Sequence, residues 1–102
     1  MIKIDENNIE REVLNSDVPV ILDFYSERCM PCKMLAPALE EISEEYADKI
    51  KVAKVDADEN DELVMKYRVM SLPTLLYFKD GSETDRTTGP IAKEKILEKV
   101  NE

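Results

Sequence analysis

Apolar residues follow two kinds of spacing along the chain, one typical of buried strands and the other of helices. Short, nearly continuous apolar runs indicate strands that are buried on both faces, and the best of them spans residues 18–25. A tight turn at residues 79–82 predicts a hairpin that joins the last two strands. The predicted strands are residues 2–4, 18–25, 50–56, 74–78 and about 83–88.

Helical spacing fills the segments between these strands. Residues 6–16 carry a short apolar stripe, and residues 31–48 carry a longer one. The segment 58–61 offers an N-cap and acidic residues that suit the start of a third helix. Pro90 suits the first turn of a final helix. The residues predicted to share the apolar side of the second helix are Met34, Leu35, Ala38, Leu39, Ile42 and Tyr46.

The order of elements is therefore β-α-β-α-β-α-β-β-α. Its alternating part predicts parallel strands joined by crossover helices, and its final hairpin predicts an antiparallel edge. The chain has 102 residues, which fits a single α/β domain over residues 1–102 with no linker or internal repeat.

Composition narrows the function. The net charge of −9 repels phosphate backbones, so we do not expect nucleic-acid binding. The lysines are scattered among carboxylates and form no patch for an anionic membrane. No apolar run approaches the roughly 20 residues that span a bilayer, and no apolar stretch follows Met1. We therefore predict a cytoplasmic protein, in a compartment where thiols are kept reduced.

Cys29 and Cys32 carry the clearest chemistry. They follow the predicted strand 18–25 and open the next helix. Unpaired N–H groups and the dipole at a helix N-terminus stabilise an anion, and Arg28 and Lys33 add positive charge. These effects lower the pKa of a thiol and raise the fraction of thiolate, which is the attacking form. The spacing also brings the two sulfurs within reach of a disulfide.

Three interpretations of the cysteine pair remain open. A zinc site needs about four ligands, and the chain has two cysteines and no histidine. An inert buried pair is a second interpretation, but two basic neighbours and a helix start are poor surroundings for inertness. Thiol–disulfide exchange is the favoured interpretation.

Asp23 interrupts the apolar strand that leads to the cysteines. A carboxylate inside a buried strand loses its hydration and should titrate at raised pH. We favour a functional role, because a dithiol needs a proton acceptor and the chain has no histidine. The alternative is a partly exposed carboxylate near the strand end. Lys54 lies in a similar run and either pairs with Asp23 or extends to solvent.

Pro73 opens the predicted strand 74–78. A proline at this place has no N–H to donate to a neighbouring strand, so it marks an edge, a turn or a cis bond. Base rates alone favour a trans proline.

Together these segments resemble the thioredoxin family. The matching stretches are residues 22–34, which hold the cysteine motif, residues 52–56 and residues 71–81. A Cys-x-x-Cys motif alone is a weak signal, but its combination with an upstream Asp, a downstream Lys and a Pro-Thr strand start is highly specific. The resemblance covers essentially the whole chain. It implies a thioredoxin fold, with a central mixed five-stranded sheet in the order 1-3-2-4-5 flanked by four helices.

The resemblance also implies a role for each residue of the site. It implies that Cys29 is the exposed nucleophile and Cys32 the buried resolving thiol, and that Asp23 is the acid–base group behind Cys32, modulated by Lys54. It replaces the trans expectation for Pro73 with a cis proline that packs against the disulfide. The substrate-binding residues that it implies are Arg28, Met30, Pro31, Leu72, Pro73 and Gly89.

Four positions depart from the usual family pattern, whose motif reads Trp-Cys-Gly-Pro-Cys-Lys. Tyr25 stands where a second family Trp often lies. Arg28 replaces the Trp and Met30 the Gly, and Arg68 stands where the family often ends a helix with Gly. Arg28 favours the thiolate and therefore pushes the redox potential upwards. Arg68 is strained if the left-handed backbone conformation is kept.

The resemblance implies a protein-disulfide reductase that uses the Cys29–Cys32 disulfide and no cofactor or metal. Its expected partners are a thioredoxin-reductase-type enzyme and disulfide-containing client proteins, and we expect a monomer. Two alternatives remain open. One is an oxidase-like or isomerase-like member with a raised potential, favoured by Arg28 and Met30. The other is a thioredoxin-fold binding module that holds a partner without turnover.

Overall fold

Five strands form one mixed sheet at the centre of the computed structural model, which describes residues 1–102. The strands are β1 (Ile2–Lys3), β2 (Val20–Tyr25), β3 (Lys51–Asp56), β4 (Thr74–Lys79) and β5 (Ser82–Thr88). Their order in the sheet is β1-β3-β2-β4-β5. β1 and β2 run parallel to β3, whereas β4 is antiparallel to β2 and β5. The topology confirms the predicted fold class and strand order.

Four helical segments flank the sheet. They are a short π-helical segment (Glu10–Leu14), α1 (Met30–Glu45), α2 (Asp61–Lys66) and α3 (Lys93–Val100). The helix predicted over residues 6–16 is therefore shorter than expected. Residues 6–8 form a turn before this segment, and the carboxylate of Asp5 caps it by accepting hydrogen bonds from the N–H groups of Asn7 (2.8 Å) and Asn8 (3.2 Å). None of the helices combines the length and the apolar character that crossing a bilayer requires.

The sheet is buried on both faces, as the apolar runs predicted. α1 and α3 cover one face, and the π-helical segment and α2 cover the other. Each fully buried apolar side chain contributes roughly 1.5–3 kcal/mol. The side with α1 and α3 includes Ile21, Leu35, Leu39, Ile42, Val52, Leu75, Tyr77 and Ile96. The opposite side includes Ile9, Val13, Leu22, Phe24, Val55, Leu63, Leu76 and Phe78.

Two helical details differ from the predictions. The apolar side predicted for α1 includes Met34, but this residue is 75% exposed because the helix turns the neighbouring positions towards the sheet. The buried residues of α1 are Cys32, Leu35, Leu39 and Ile42. Pro90 precedes α3 rather than opening it. Ile91 packs against the core and Ala92 keeps an extended backbone (ψ 148°), so the helix begins only at Lys93.

The predicted hairpin between β4 and β5 is confirmed. Both residues of its turn have left-handed backbone angles, with φ 52° at Asp80 and φ 82° at Gly81. A side chain at Gly81 would also bring its Cβ within 2.9 Å of the carbonyl oxygen of Leu14. Glycine is therefore required here both by the turn and by the close approach of the N-terminal segment.

Candidate active site

Three loops meet at one end of the sheet, where β2 and β5 end and β4 begins. The loop after β2 carries Cys29. Thr74 at the start of β4 pairs with Phe24 near the end of β2, so the loop that carries Pro73 lies beside the cysteine loop. The N–H of Gly89 donates a hydrogen bond to the carbonyl oxygen of Pro73 at 2.8 Å, which ties the third loop to the same end.

Cys29 and Cys32 form a disulfide, with their Cα atoms 5.3 Å apart. Cys29 is the N-cap of α1, and its sulfur accepts a hydrogen bond from the N–H of Cys32 at 3.2 Å. No acidic residue lies in the first turn of α1, so no carboxylate there offsets the positive end of the helix dipole. Cys29 is half-buried, whereas Cys32 is only 5% exposed. The two residues therefore differ in access and in their ability to carry negative charge.

The peptide bond between Leu72 and Pro73 is cis. This corrects the trans expectation from base rates and agrees with what the family resemblance implied. The hydroxyl of Thr74 donates to the carbonyl oxygen of Ser71 at 2.7 Å and closes a tight turn around the proline. The backbone N–H and C=O of Leu72 form no hydrogen bond within the chain. Such free backbone groups can pair with an extended segment of another protein.

Asp23 is buried in β2, with 5% of its surface exposed. Its Oδ1 atom has no hydrogen-bond partner. Burial raises the pKa of Asp23 to about 7, and the positive charge of Lys54 lowers it by a smaller amount. The alternative of a partly exposed carboxylate near the strand end is therefore wrong.

A pocket of about 160 Å³ is lined by Asp23, Cys32, Lys54 and Tyr25, among others. Lys54 is the direct neighbour of Asp23 in the parallel pairing of β2 and β3. Their charged groups nevertheless form no ion pair within 4.0 Å, and the Lys54 Nζ lies 5.4 Å from the centroid of the Tyr25 ring. Lys54 therefore acts on Asp23 only through space, and its ammonium group stays at the pocket.

Known proteins resemble this chain over nearly its whole length. The family model described as Thioredoxin matches residues 1–102. The chain is 43% identical over 98 residues to the thioredoxin of Rickettsia bellii (strain RML369-C), which covers 96% of this chain and 93% of that protein. It is 43% identical over 91 residues to Thioredoxin 1 of Nostoc sp. (strain PCC 7120 / SAG 25.82 / UTEX 2576), with 89% and 85% covered. The chain belongs to the thioredoxin family.

Family membership and a cysteine pair that forms a disulfide make this thioredoxin-family protein a thiol–disulfide oxidoreductase that reduces protein disulfides. A further relative, the thioredoxin of Acidithiobacillus ferridurans, is 43% identical over 93 residues, with 91% of this chain and 86% of that protein covered. The predicted family and enzyme class are confirmed. No group of three or more His, Cys, Asp or Glu side chains forms a candidate metal site.

The structure brings all the predicted site residues to one end of the molecule. Asp23, Cys32 and Lys54 line the pocket, while the remaining residues lie on the three loops and the first turn of α1. Met30 is 64% exposed, and Pro31 beside it is exposed as well. The loop residues are Arg28, Cys29, Leu72, Pro73 and Gly89, and those of the first turn are Met30 and Pro31.

Asp58 also belongs to this site, although no sequence pattern predicted it there. The segment 58–61 was expected to begin a helix, but the N-cap of α2 is Asn60, and Asp58 lies before it. Its Oδ1 atom lies 3.6 Å from the Nη2 atom of Arg28, and its Oδ2 atom accepts a hydrogen bond from the hydroxyl of Ser26 at 2.6 Å. The carboxyl ends of β2 and β3 meet at the same edge of the sheet, which is the signal that could have placed these residues together.

Arg68 keeps the left-handed conformation that the family pattern suggests, with φ 53°. Arg86 on β5 stabilises this corner, because its guanidinium donates hydrogen bonds to the carbonyl oxygens of Tyr67 (2.9 Å) and Arg68 (3.4 Å). Glu83 holds the Arg86 guanidinium through two further contacts of 2.7 and 2.9 Å. A non-glycine residue at this position is therefore strained but well anchored.

Proposed function

We propose that Cys29 is the nucleophile of the exchange reaction and Cys32 the resolving thiol. The observation that carries this assignment is the contrast between a half-buried Cys29 at the N-terminus of α1 and an almost fully buried Cys32. Thiolate at Cys29 is stabilised by the helix dipole and by the N–H of Cys32.

The reaction then takes two exchange steps. The Cys29 thiolate attacks one sulfur of a client disulfide, forms a mixed disulfide and expels the other client sulfur as a thiolate. The Cys32 thiolate next attacks the Cys29 sulfur and expels the second client sulfur. Two electrons pass to the client, and the protein is left with the Cys29–Cys32 disulfide.

Asp23 is the proposed proton acceptor for Cys32. Both residues line the same pocket, and one oxygen of the Asp23 carboxyl group accepts no hydrogen bond from the protein. A pKa of about 7 suits a general base at neutral pH, because the group is then partly ionised and still basic. Lys54 adjusts this balance, since its positive charge favours the ionised carboxylate.

The proposed client surface consists of the three loops around Cys29. An extended client segment pairs with the free N–H and C=O of Leu72, beside Pro73 and Gly89. Met30 offers a flexible apolar contact, because a methionine side chain adapts to partners of different shape. Pro31 limits the freedom of the first turn of α1, and the exposed guanidinium of Arg28 offers hydrogen-bond donors on one side of the surface.

We propose that a thioredoxin-reductase-type enzyme returns two electrons to the Cys29–Cys32 disulfide after each turnover, and that disulfide-containing proteins are the clients. The disulfide is the only redox group that this cycle needs. A single-domain monomer over residues 1–102 is supported by the burial of both faces of the sheet within one chain. A cytoplasmic location stays a prediction, based on the reducing compartment that a catalytic cysteine pair suits.

Turnover of a model protein disulfide, with dithiothreitol as the reductant, tests these roles. Cys29→Ser should abolish catalysis, and Asp23→Asn should slow the resolving step at neutral pH by about tenfold or more. Asp48→Asn, which changes an exposed carboxyl group in the loop after α1, is the matched control and should leave the rate unchanged. Equal rates for Asp23→Asn and the wild type would contradict the proposed proton transfer.

An equilibrium redox titration of the cysteine pair tests how strongly reducing this oxidoreductase is. A two-electron transition at or below about −250 mV supports a reductase. A transition above about −200 mV would instead favour the oxidase-like or isomerase-like alternative. The absence of any reversible transition would contradict the two exchange steps.

A further inference from the structure

Ser26, Arg28 and Asp58 form a polar network next to Cys29 that the exchange steps do not use. The carboxylate of Asp58 contacts the guanidinium of Arg28 at 3.6 Å and accepts the Ser26 hydroxyl at 2.6 Å. We propose that Asp58 is a positioning residue that holds Arg28 and offsets its charge, and so keeps the redox potential of the disulfide low. This inference rests on the proposed role of Cys29 as the nucleophile.

Asp58 is fixed to the cysteine loop and to β3 at the same time. Its own N–H donates a hydrogen bond to the carboxylate of Asp56 at 3.0 Å, directly after β3. Ser26 is 7% exposed, and its hydroxyl oxygen accepts the N–H of Arg28 at 3.3 Å. The Ser26 carbonyl oxygen accepts the N–H of Cys29 at 3.1 Å. The carboxylate therefore has a defined place relative to the reactive sulfur.

Arg28, the residue directly before Cys29, carries the charge that Asp58 offsets. Arg28 has no carboxylate other than that of Asp58 within 4.0 Å. A thiolate at Cys29 exists only in the reduced protein, so a cation beside it favours reduction and an anion beside it opposes reduction. Asp58 thus offsets the charge of Arg28 and returns the local charge to near neutrality. The usual family motif has an uncharged Trp at the position of Arg28.

Exposure limits the size of this effect. The side chains of Arg28 and Asp58 are 86% and 47% exposed, so solvent and salt screen their charges. Removing the Asp58 charge should favour the reduced protein by about twofold to threefold. At about 30 mV per tenfold change for a two-electron couple, this is a rise in potential of about 9–14 mV.

Asp58→Asn is the variant that isolates the charge, because an asparagine oxygen can still accept the Ser26 hydroxyl. Glu59→Gln is the matched control, since it neutralises the adjacent carboxylate, whose partner is Lys3 at 3.8 Å. Arg28→Ala removes the cation itself and should shift the equilibrium towards the oxidised protein.

Direct equilibration of two proteins measures these small shifts best. Oxidised wild-type protein is mixed with each reduced variant and a trace of dithiothreitol, the thiols are alkylated, and the four species are quantified by mass spectrometry. We expect Asp58→Asn to be the more reduced partner, Arg28→Ala the more oxidised one, and Glu59→Gln to match the wild type. Both shifts should shrink at high salt, which a purely structural effect would not do.

An unchanged equilibrium for Asp58→Asn, or a shift that salt does not alter, overturns the inference. If Asp58→Asn does not fold, Arg28→Ala decides whether the charge at this place acts on the redox equilibrium. A shift towards the oxidised protein that shrinks at high salt supports the inference, and an unchanged equilibrium overturns it. Failure of the underlying assignment looks different, because a client disulfide would then be trapped faster through Cys32 than through Cys29, whatever the equilibrium between the two proteins.

Discussion

Asp23 and Lys54 are direct neighbours across β2 and β3, yet their charged groups form no ion pair. Asp23 stays buried with one oxygen unpaired, while the Lys54 ammonium lies over the ring of Tyr25. Because the cation offsets only part of the lost hydration, the pKa of Asp23 stays near 7 instead of falling below its ordinary value. The carboxyl group can therefore take up and release a proton at neutral pH.

The raised pKa of Asp23 predicts a specific dependence of stability on pH. The folded-state value of about 7 lies above the ordinary value of 3.8, so between these limits the folded protein holds a proton that the unfolded chain has lost. This contribution is complete below about pH 4 and is lost as the pH rises through 7. With each pKa unit worth about 1.4 kcal/mol, the loss is roughly 4 kcal/mol. Asp23→Asn should remove this pH dependence, because an asparagine side chain does not titrate.

Urea unfolding of the oxidised protein across this pH range measures the effect. The free energy of unfolding of the wild type should fall relative to that of Asp23→Asn as the pH rises from about 4 to about 7. Asp48→Asn, with an exposed carboxyl group, should follow the wild type. Parallel curves for Asp23→Asn and the wild type would show that folding does not raise the pKa of Asp23.

Removing the Lys54 charge should push the pKa of Asp23 further up. In Lys54→Met the apolar stem is kept, but the cation that favours the carboxylate is gone. We expect the titration midpoint of Asp23, read from the pH at which the stability stops falling, to rise above about 7. Lys95→Met, an exposed change on α3, should leave the midpoint in place. A midpoint that falls or stays unchanged in Lys54→Met would argue against a through-space interaction.

Arg68 carries strain that a glycine would relieve. Its φ of 53° is left-handed, and most L-residues lose roughly 1–2 kcal/mol in this conformation. Arg68→Gly should therefore raise the free energy of unfolding by about 1 kcal/mol. Lys66→Gly, two positions earlier and inside α2, should lower it by about 0.5–1 kcal/mol. Destabilisation by both changes would mean that the Arg68 side chain contributes more than its backbone costs.

Alanine substitutions at Gly81 and Gly89 together distinguish the cost of backbone strain from the cost of a steric clash. Both have positive φ, but only a Cβ at Gly81 meets another atom, the carbonyl oxygen of Leu14 at 2.9 Å. Gly89→Ala should destabilise the protein by about 1 kcal/mol through backbone strain alone. Gly81→Ala should cost about 2 kcal/mol or more. Equal losses would show that the N-terminal segment moves away without cost.

Local patterns were enough to predict most of the fold. The apolar run at residues 18–25 became β2, and the turn at residues 79–82 became the hairpin of β4 and β5. The helix predicted over residues 6–16 was too long, because residues 6–8 form only a turn, capped by the carboxylate of Asp5, before the π-helical segment begins. The residue at which a helix begins after a capped turn depends on local hydrogen bonds rather than on apolar spacing.

The site was predictable where its residues lie close together in the chain or match a family motif. Cys29, Cys32 and Pro73 fall in such segments. The contact between Arg28 and Asp58 was not predicted, since it joins two loops through the pairing of β2 and β3. The position of the Lys54 ammonium over Tyr25 likewise results from packing around the pocket, which no spacing rule describes.

Trapping of the mixed disulfide tests the central claim most directly. A client protein with one disulfide is mixed with reduced Cys32→Ser or reduced Cys29→Ser, and the covalent products are identified by mass spectrometry. Cys32→Ser should accumulate a mixed disulfide at Cys29, because no second thiol is present to resolve it. Cys29→Ser should form little or none, since Cys32 is buried. Faster trapping through Cys32 would contradict the assignment of nucleophile and resolving thiol.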